Sequence, residues 1–383
     1  MAVLPSALTV IEVPALFSPT ALVTAGTCRL KATLGSTKVE RLGSGPEAAV
    51  GTLIHRILER TWNKEDIDVD AVFDAEYGLI VAELLRDPKR AHFADLSGTR
   101  SLAEWSSLRA WVRTRSLRGG SRTHDVRVER ARESGLGAER LLQSQALRLR
   151  GRADRVRRVP LNTLEVRDFK SGATLDHEGH IKPEIALQLM AYGLMVLEQN
   201  PNVTVRLVVD DGEERELAFD LATRERAREV LLEVANGLPP PGVVSAETLA
   251  SPGPSCWNCP FRHTCSSYLT IAPTWWKTYP KDTERVPFDI WGTLSDVSQC
   301  QNRSSVRLID AAARLVRVDG IDPRHDSSLT RLGSTVFFFG LEATGPSRDF
   351  DGGRFHPRSF HELPRDRSER RAWTTSVFSI EPE

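Results

Sequence analysis

The chain has 383 residues, with 51 basic and 51 acidic side chains, so its formal net charge at pH 7 is zero. That length exceeds one ordinary domain and favours two domains of unequal size. Balanced charge excludes a long-range field that would draw nucleic acid or membrane to the whole surface, so such a partner must meet a local patch. The arginine-rich stretch 113–158 is one candidate patch, and it is equally consistent with an ordinary solvated surface.

The location of the protein follows from what the sequence lacks. No apolar run approaches the length needed to cross a bilayer, and the N-terminal residues lack the pattern of a secretory signal. We therefore expect a cytoplasmic protein with no membrane partner. Three of its five cysteines lie within 256–265 as C-x2-C-x5-C, which in a reducing compartment favours metal ligation over disulfides.

Helical patterns dominate the first third of the chain. A Ser-Pro pair at 18–19 predicts the start of a helix that carries Cys28 and ends at Gly35. The segment 47–62 predicts a helix with one apolar face and with His55 on the flank of that face. Further helices are predicted over 71–87, 101–117, 184–199 and 222–237.

The pattern changes to strands from about residue 125. Strands are predicted over 147–159 and 163–171, joined by a Pro-Leu-Asn turn at 160–162, and a further strand is predicted over 203–211. The order of strand, turn, strand, helix and strand indicates an α/β domain.

Two carboxylates are expected to face each other on the hairpin. With a three-residue loop, Val156 pairs with Val166 and Asp154 falls opposite Asp168, with Cβ atoms about 5 Å apart. Period-2 alternation places Lys170 on the same face as Asp168. Like charges so placed repel unless a cation lies between them, and a hard divalent ion such as Mg2+ or Mn2+ would serve.

The residues alone also allow interpretations in which these side chains have only structural roles. The hairpin is also consistent with an ordinary surface element whose ion pairs contribute little. His55 is equally a packing residue on its helix. Gln188 and Tyr192 lie one turn apart in a helix that is apolar nearly all round, where they are either site residues or core polar groups bonded to backbone.

Four short motifs occur in a fixed order, and together they resemble a known family. They are G-T-L-I-H at 51–55, G-R-A-D at 151–154, D-F-K-S-G at 168–172 and Q-L-M-A-Y at 188–192. Their order and their strand-turn-strand-helix setting resemble RecB-type nucleases of the PD-(D/E)XK superfamily. The resemblance covers about residues 18–268 and implies a central mixed sheet flanked by helices, with Mg2+- or Mn2+-dependent deoxyribonuclease activity.

The resemblance implies a role for each motif residue. Lys170 would orient the attacking water or help to remove its proton. The implied ligands of one or two Mg2+ or Mn2+ ions are His55, Asp154, Asp168 and the backbone carbonyl of Phe169.

Further residues of the same motifs would contact the substrate. Gln188 and Tyr192 would position the DNA strand or the water. Arg152 and Arg155 flank the site and would contact phosphates as DNA-binding residues. Contacts of that kind carry no sequence information, so little sequence preference is expected.

The same resemblance accounts for the three clustered cysteines. The iron–sulfur branch of the family, which includes AddB-type nucleases and CRISPR-adaptation exonucleases, takes one cysteine from before the nuclease core and three from after it. A local zinc site with His263 in place of the distant cysteine is the alternative, and Cys300 matches no family ligand. The implied ligands of a 4Fe-4S cluster are Cys28, Cys256, Cys259 and Cys265.

The chain is predicted to have two domains. Residues 1–270 form the nuclease domain closed by the cysteine site, 271–288 form a linker, and 289–383 form a β-rich domain resembling a small OB-fold barrel. That domain would stack single strands or dock a helicase, because the sequence contains no P-loop. Its candidate stacking residues, which a buried core strand would equally explain, are Trp291, Phe337, Phe338 and Phe339.

The predicted function is that of a DNA exonuclease acting on single strands or DNA ends, in repair, recombination or defence against foreign DNA. Two alternatives stand beside it. One is a non-catalytic nucleic-acid-binding subunit of a helicase/nuclease complex, stabilised by the cluster or by zinc. The other is an endonuclease with the same chemistry.

Overall fold

The structure is a computed structural model in which the chain forms two compact units. The α/β unit comprises Glu12–Lys38 and Pro46–Val244, and the β-rich unit comprises Met1–Ile11, Val39–Gly45 and Ser245–Glu383. The residues that the structure describes are 8–42, 46–61, 67–87, 91–99, 101–118, 137–170, 172–278, 288–300, 303–311, 313, 315–321, 323–343, 353–357 and 376–380.

The secondary structure follows the predicted order of helices and strands. The helices are α1 (Pro19–Ala25), α2 (Arg29–Gly35), α3 (Pro46–Thr61), α4 (Val69–Arg86), α5 (Leu102–Arg118), α6 (Pro183–Gln199), α7 (Leu221–Gly237), α8 (Ala246–Leu249) and α9 (Ser266–Thr278). The strands are β1 (Val10–Val13), β2 (Gly137–Ser144), β3 (Leu149–Val159), β4 (Thr163–Phe169), β5 (Thr204–Asp210), β6 (Glu214–Leu217), β7 (Gly242–Ser245), β8 (Phe288–Cys300), β9 (Arg303–Ile309), β10 (Leu315–Ile321), β11 (Thr335–Ala343), β12 (Gly353–Pro357) and β13 (Ser376–Ile380).

A five-stranded mixed sheet forms the centre of the α/β unit. Its strand order is β2-β3-β4-β5-β6, in which β4 and β5 are parallel and the other neighbours are antiparallel. The two parallel strands are connected through α6, which packs closely on the sheet at Gly193. A Cβ on this residue would lie only 2.9 Å from Leu207 of β5. The predicted α/β fold with a mixed sheet flanked by helices is confirmed.

The hairpin register matches the prediction. Val156 pairs with Val166 and Val159 pairs with Thr163, which leaves the three-residue loop 160–162. Two residues of that loop have positive φ, 63° at Leu161 and 52° at Asn162. The loop therefore turns the chain tightly enough to keep the two strands in the predicted register.

The first predicted helix is in fact two helices. Ser18 caps α1 as expected, its side chain accepting a hydrogen bond from the backbone N–H of Ala21 at 3.1 Å. The helix ends before Gly26 and Thr27, which are weak helix formers. Cys28 is extended, with φ −154° and ψ 112°, and is the N-cap of α2. The prediction that Cys28 lies within a helix was therefore wrong.

The other predicted helices are confirmed with small shifts at their ends. The apolar face of α3 is buried, as its pattern predicts. Within the described part of the chain, no helix is both long and apolar enough to span a bilayer. The segments predicted as helical over 47–62, 71–87, 101–117, 184–199 and 222–237 correspond to α3, α4, α5, α6 and α7.

The strands of the β-rich unit are paired in a cycle. β8, β9 and β10 form an antiparallel meander, β12 pairs in parallel with β10 and antiparallel with β11, and β11 pairs antiparallel with β8. Following the paired neighbours from β8 through β9, β10, β12 and β11 returns to β8. β13 pairs with residues 335–339 of β11, on the edge opposite β8, and β12 pairs with residues 341–343.

The phenylalanine run of β11 belongs to the core. Phe337, Phe338 and Phe339 are at most 1% exposed, so they cannot stack on nucleic-acid bases in this structure. The core-strand alternative is therefore correct for these three residues. Trp291 is partly buried and stacks on Phe337, with ring centroids 5.9 Å apart.

The segment predicted as a linker is partly helical. α9 continues to Thr278, and residues 279–287 lie outside the described residues. The helix forms because Tyr268 and Ala272 pack with Cys256 against the phenylalanines of β11. The same packing places the cysteine segment 256–265 in the β-rich unit, whereas the predicted boundary lay after residue 270.

Candidate active site

Two carboxylates lie at the end of the β3–β4 hairpin. The last paired positions are Arg155 and Arg167, and Asp154 and Asp168 follow directly on the opposite face of the two strands. Oδ2 of Asp154 accepts a hydrogen bond of 2.7 Å from the backbone N–H of Phe169. This bond fixes the Asp154 carboxylate against β4, beside Asp168.

Asp168 is held in an environment that disfavours its charge. The side chain is buried, and this burial together with the negative charge of Asp154 raises its pKa to about 6. The nearby charges of Lys170 and His55 oppose the shift without cancelling it. A further cation between the two carboxylates would stabilise the ionised form of both.

Lys170 connects two of the four motifs. Its Nζ lies 2.8 Å from Oδ2 of Asp168 and donates a hydrogen bond of 3.3 Å to Oε1 of Gln188 on α6. Its backbone N–H donates to the carbonyl of Asp210 on β5, at 3.0 Å. The ammonium group is thus positioned from both its side chain and its backbone.

His55 reaches the carboxylates from α3. Its Nδ1 lies 3.4 Å from Oδ1 of Asp154, and the side chain is partly exposed. The prediction that it lies on the flank of the helix, beside the core, is confirmed. The structure therefore brings His55, Asp154, Asp168, Lys170 and Gln188 together on one face of the sheet.

Tyr192 lies one turn along α6 from Gln188 and packs against the G-x-x-D motif. A Cβ added to Gly151 would lie 3.1 Å from the Tyr192 hydroxyl and 2.6 Å from Cδ of Pro19. Gly151 is therefore the residue that allows the tyrosine ring to approach β3. This contact explains in physical terms why a glycine stands three residues before Asp154.

We expect Gly151→Ala to lower DNA cleavage about tenfold or more and to destabilise the protein by about 1–3 kcal/mol, because the new methyl group overpacks the site. Gly78→Ala in α4 is the matched control, since nothing lies within 4 Å of its Cβ position. The control should be neutral or slightly stabilising. Thermal unfolding and initial cleavage rates measure both effects, and equal behaviour of the two variants would contradict this role for Gly151.

The donor atoms of this site suit a hard divalent metal. Two carboxylates and the backbone carbonyl next to Asp168 are the oxygen donors that Mg2+ and Mn2+ prefer, and His55 adds a nitrogen donor beside them. The burial of the Asp168 carboxylate beside Asp154 is the structural observation that supports the fit, because two acidic side chains held together out of water favour a bound cation. Within the described residues, no three or more His, Cys, Asp or Glu side chains form a preassembled metal site.

A network of buried ion pairs lies on the other face of β4. Arg167 contacts Glu165 at 3.1 Å and Asp210 at 2.7 Å, and Arg115 of α5 contacts Asp210 at 2.8 Å. Although burial disfavours its charged form, Arg157 and Arg167 keep the pKa of Glu165 below its usual range. These ion pairs join α5 to β5 and to β4, near Asp168 and Lys170, and the sequence alone did not predict them.

Arg155 belongs to this opposite face. It is 4% exposed and its guanidinium lies 5.6 Å from the ring centroid of Phe169. Burial, followed by the charges of Arg167 and Arg157, lowers its pKa to about 10. The prediction that Arg155 contacts DNA is not supported, because strand alternation turns it away from Asp154. Arg152 is exposed and shares the face of Asp154.

The arginine-rich stretch is therefore not a single basic patch. Four of its arginines interact within the protein: Arg115, Arg155, Arg157 and Arg148. Arg148 donates hydrogen bonds to the backbone carbonyls of Pro14 and Pro239. The arginines within 119–136 lie outside the described residues.

The cysteine segment has short local hydrogen bonds to sulfur. The backbone N–H of Gly253 donates to Sγ of Cys256, and that of Tyr268 donates to Sγ of Cys265, each at 3.4 Å. Such bonds stabilise sulfur atoms that carry negative charge. Cys28, at the N-cap of α2, is partly buried and belongs to the α/β unit.

A buried aspartate attaches the cysteine segment to the β-rich sheet. Asp289 of β8 accepts hydrogen bonds from Arg262 at 3.1 Å, from the Tyr268 hydroxyl at 2.6 Å and from the backbone N–H of Gly340 at 2.8 Å. Arg262 also donates to the carbonyl of Cys259 at 3.0 Å. The position of the three clustered cysteines is therefore fixed by β8 and β11.

His263, the ligand of the alternative zinc site, is packed among aromatic rings. It is buried, stacks on Phe378 with centroids 5.5 Å apart, and meets Phe339 edge-on at 6.1 Å. This setting is typical of a packing residue.

Two carboxylates that hold a divalent ion suit phosphodiester hydrolysis, because a bound metal polarises the phosphoryl oxygen and lowers the pKa of its water. Residues 16–266, more than half of the chain, match the family described as the PD-(D/E)XK nuclease superfamily. The chain therefore belongs to this superfamily, which implies a metal-dependent nuclease that uses divalent ions such as Mg2+. The match does not distinguish the branches of the superfamily.

Two further comparisons add little. Comparison with curated proteins gave no match. Among solved structures, RecJ in complex with Mg2+ from Thermus thermophilus is 15% identical, over 88% of this chain and 50% of RecJ, with a TM-score of 0.15. The chain thus spans about half the length of that structure, and a likeness this weak carries no argument about fold or function.

Proposed function

We propose that the protein is a Mg2+- or Mn2+-dependent DNA exonuclease acting on single strands or DNA ends, in repair, recombination or defence against foreign DNA. The observation that carries the proposal is the position of Lys170, whose ammonium contacts both Asp168 and Gln188 in a chain of a nuclease superfamily. Together with the contact of His55 and Asp154, these contacts bring residues of all four motifs into one constellation. The RecB-type branch is part of the proposal.

The motif residues would have different roles in phosphodiester hydrolysis. The metal would be held by His55, Asp154, Asp168 and the carbonyl of Phe169, and would supply polarisation of the scissile phosphate and a lowered pKa of water. Lys170 would help to remove a proton from the attacking water in its neutral amine form, or would orient that water through its ammonium form. Its ion pair with Asp168 and its bond to Gln188 hold the ammonium in place for that task.

Two residues would bring the substrate to these groups. Tyr192, packed against Gly151, would fix the strand or the water from the side of α6. Arg152, exposed on the face of Asp154, would contact a phosphate.

We further propose that Cys28, Cys256, Cys259 and Cys265 hold a 4Fe-4S cluster. The hydrogen bonds to the sulfurs of Cys256 and Cys265 support this, and the aromatic packing of His263 disfavours a local zinc site. The cluster would close a long loop of the chain, which restricts the unfolded state.

The β-rich unit is proposed to be an OB-like barrel that binds single strands or docks a helicase. The cyclic pairing from β8 through β12 and β11 back to β8 supports the barrel. A helicase partner would supply the strand separation that an enzyme of single strands needs on duplex DNA.

End-labelled and circular substrates test the proposed function. With Mg2+ or Mn2+, we expect degradation of linear single-stranded DNA and no cleavage of closed single-stranded circles, and comparison of 5′ and 3′ labels gives the polarity. Cleavage of circles would make the protein an endonuclease. Binding without cleavage of any linear, circular or duplex DNA would favour the non-catalytic subunit and would overturn the proposal.

A further inference from the structure

The outer face of the β-rich sheet carries arginine opposite arginine. Arg307 of β9 is paired in register with Arg317 of β10, and the two side chains are 53% and 39% exposed. They alternate along their strands with buried core residues such as Val306 and Val318, so both point away from the core. Arg354 of β12 follows in register beside Arg317.

The two arginines repel each other, and each has an acidic neighbour. Like charges directly opposite on antiparallel strands repel each other. Asp296 of β8 is in register with Arg307 and lies 3.8 Å from it, and the partly buried Asp319 accepts a hydrogen bond of 2.6 Å from Arg317. Exposed ion pairs contribute about 0–1 kcal/mol. The register therefore places two arginines side by side in weak ion pairs, which a phosphate that contacts both arginines can replace.

An apolar pair lies beside the arginine pair. Ile309 of β9 is paired with Leu315 of β10, and each side chain is 41% exposed. These positions are two residues from Arg307 and Arg317, so they share the same outer face. The face thus presents a cationic row and an apolar row side by side.

The chemistry of the two rows indicates the partner. A nucleic-acid backbone supplies regularly spaced negative charges that arginine neutralises. An unpaired strand also presents the flat faces of its bases, which a duplex buries by stacking and pairing. A single strand therefore complements both rows, whereas a duplex complements the arginines alone.

We propose that the outer face of β9 and β10 binds single-stranded nucleic acid, with Arg307 and Arg317 on phosphates and with Ile309 and Leu315 against bases. The inference deepens the proposed function, on which it rests for the nature of the substrate. It assigns the contact to aliphatic and arginine side chains of the outer face, because the phenylalanines of β11 are in the core.

Equilibrium binding in a cleavage-deficient background tests the inference. In Lys170→Ala protein, fluorescence anisotropy of labelled oligothymidylate is measured against salt concentration, with and without Arg307→Ala/Arg317→Ala. We expect the double change to weaken binding about tenfold or more, and to reduce the slope of log affinity against log salt by about 1.4, since each single-strand phosphate contact contributes about 0.7.

The matched control is Arg226→Ala/Arg228→Ala on α7, which removes the same charge from two other exposed arginines. It should leave affinity within about twofold, because long-range charge is screened by salt. Equal losses in the two double variants would overturn the inference. Arg307→Lys/Arg317→Lys, which keeps the charge, should restore most of the affinity and so exclude misfolding as the cause.

The apolar row has its own test. Ile309→Ser/Leu315→Ser should weaken single-strand binding several-fold with an unchanged salt slope and leave duplex binding unaltered. If duplex binding falls equally, the single-strand assignment is wrong. Failure of the inference is distinguishable from failure of the proposed function. If the protein cleaves DNA but binds it independently of Arg307 and Arg317, the inference is wrong and the proposed function stands. If the protein binds DNA through Arg307 and Arg317 but the wild type does not cleave it, the proposed function is wrong and the inference stands.

Discussion

Replacing Asp168 by asparagine is expected to abolish metal-dependent cleavage and, in metal-free protein near pH 8, to increase stability. The first effect follows because the variant loses one of the carboxylates that are proposed to hold the metal. The second follows because burial and Asp154 raise the pKa of Asp168 from 3.8 to about 6, so its ionised form is disfavoured in the folded state. A shift of that size corresponds to about 3 kcal/mol.

The sign of the pH dependence follows from the raised pKa. In metal-free wild-type protein, the stability associated with protonated Asp168 is fully present below about pH 4 and is lost as the pH rises through about 6. The asparagine variant lacks this loss, so the two proteins should differ most at high pH. Bound Mg2+ should stabilise the wild type and not the variant.

Thermal unfolding with a chelator and with Mg2+, at about pH 4 and pH 8, measures these differences. Glu225→Gln on α7 is the control, since it removes an exposed carboxylate and should change neither stability nor cleavage. A variant Asp168→Asn that is less stable than wild type in chelator at pH 8, or that still cleaves with metal, would contradict the assigned environment.

Replacing Cys28 by serine is expected to remove the iron–sulfur cluster. The variant should lose most of its iron and visible absorbance after anaerobic purification, because three cysteines do not complete the four-thiolate ligand set. It should also unfold more easily, since closing a loop of this length restricts the unfolded chain by about 5 kcal/mol in the loop-entropy account.

Two controls separate the cluster from the zinc alternative. Cys300→Ser should retain full iron, because this residue is not among the proposed ligands. His263→Gln should also retain iron, whereas a local zinc site would lose its metal in this variant and keep it in Cys28→Ser. One zinc per chain with no iron in the wild type would refute the cluster.

Local patterns predicted well the hairpin that carries Asp154 and Asp168. The three-residue turn and the period-2 alternation are enough to set Val156 opposite Val166, and therefore Asp154 beside Asp168. The apolar stripe of α3 likewise placed His55 on its flank, since helix periodicity determines which side chains border the core. The same alternation indicates that Arg155 does not face the site. It is the residue next to Asp154 on β3 and therefore lies on the opposite face of the strand.

Other features depend on contacts between distant segments, which one sequence does not reveal. Glu165 and Arg167 resemble surface residues of a hairpin, yet the partners that allow their burial, Arg115 and Asp210, come from α5 and β5. The helix in the predicted linker forms for the same reason, because the apolar surface that it covers belongs to β11. The pairing of Arg307 with Arg317 required the strand register.

The most direct test of the central claim compares wild-type protein with Lys170→Ala on end-labelled single-stranded DNA in Mg2+ or Mn2+. We predict metal-dependent cleavage by the wild type, a loss of about 10²–10⁴-fold in the variant, and unchanged DNA binding, since the proposed role of Lys170 is to act on the attacking water. Lys31→Ala in α2 should cleave like the wild type. Cleavage by the Lys170 variant at the wild-type rate, or wild-type protein that leaves all DNA intact with either metal, would contradict the account.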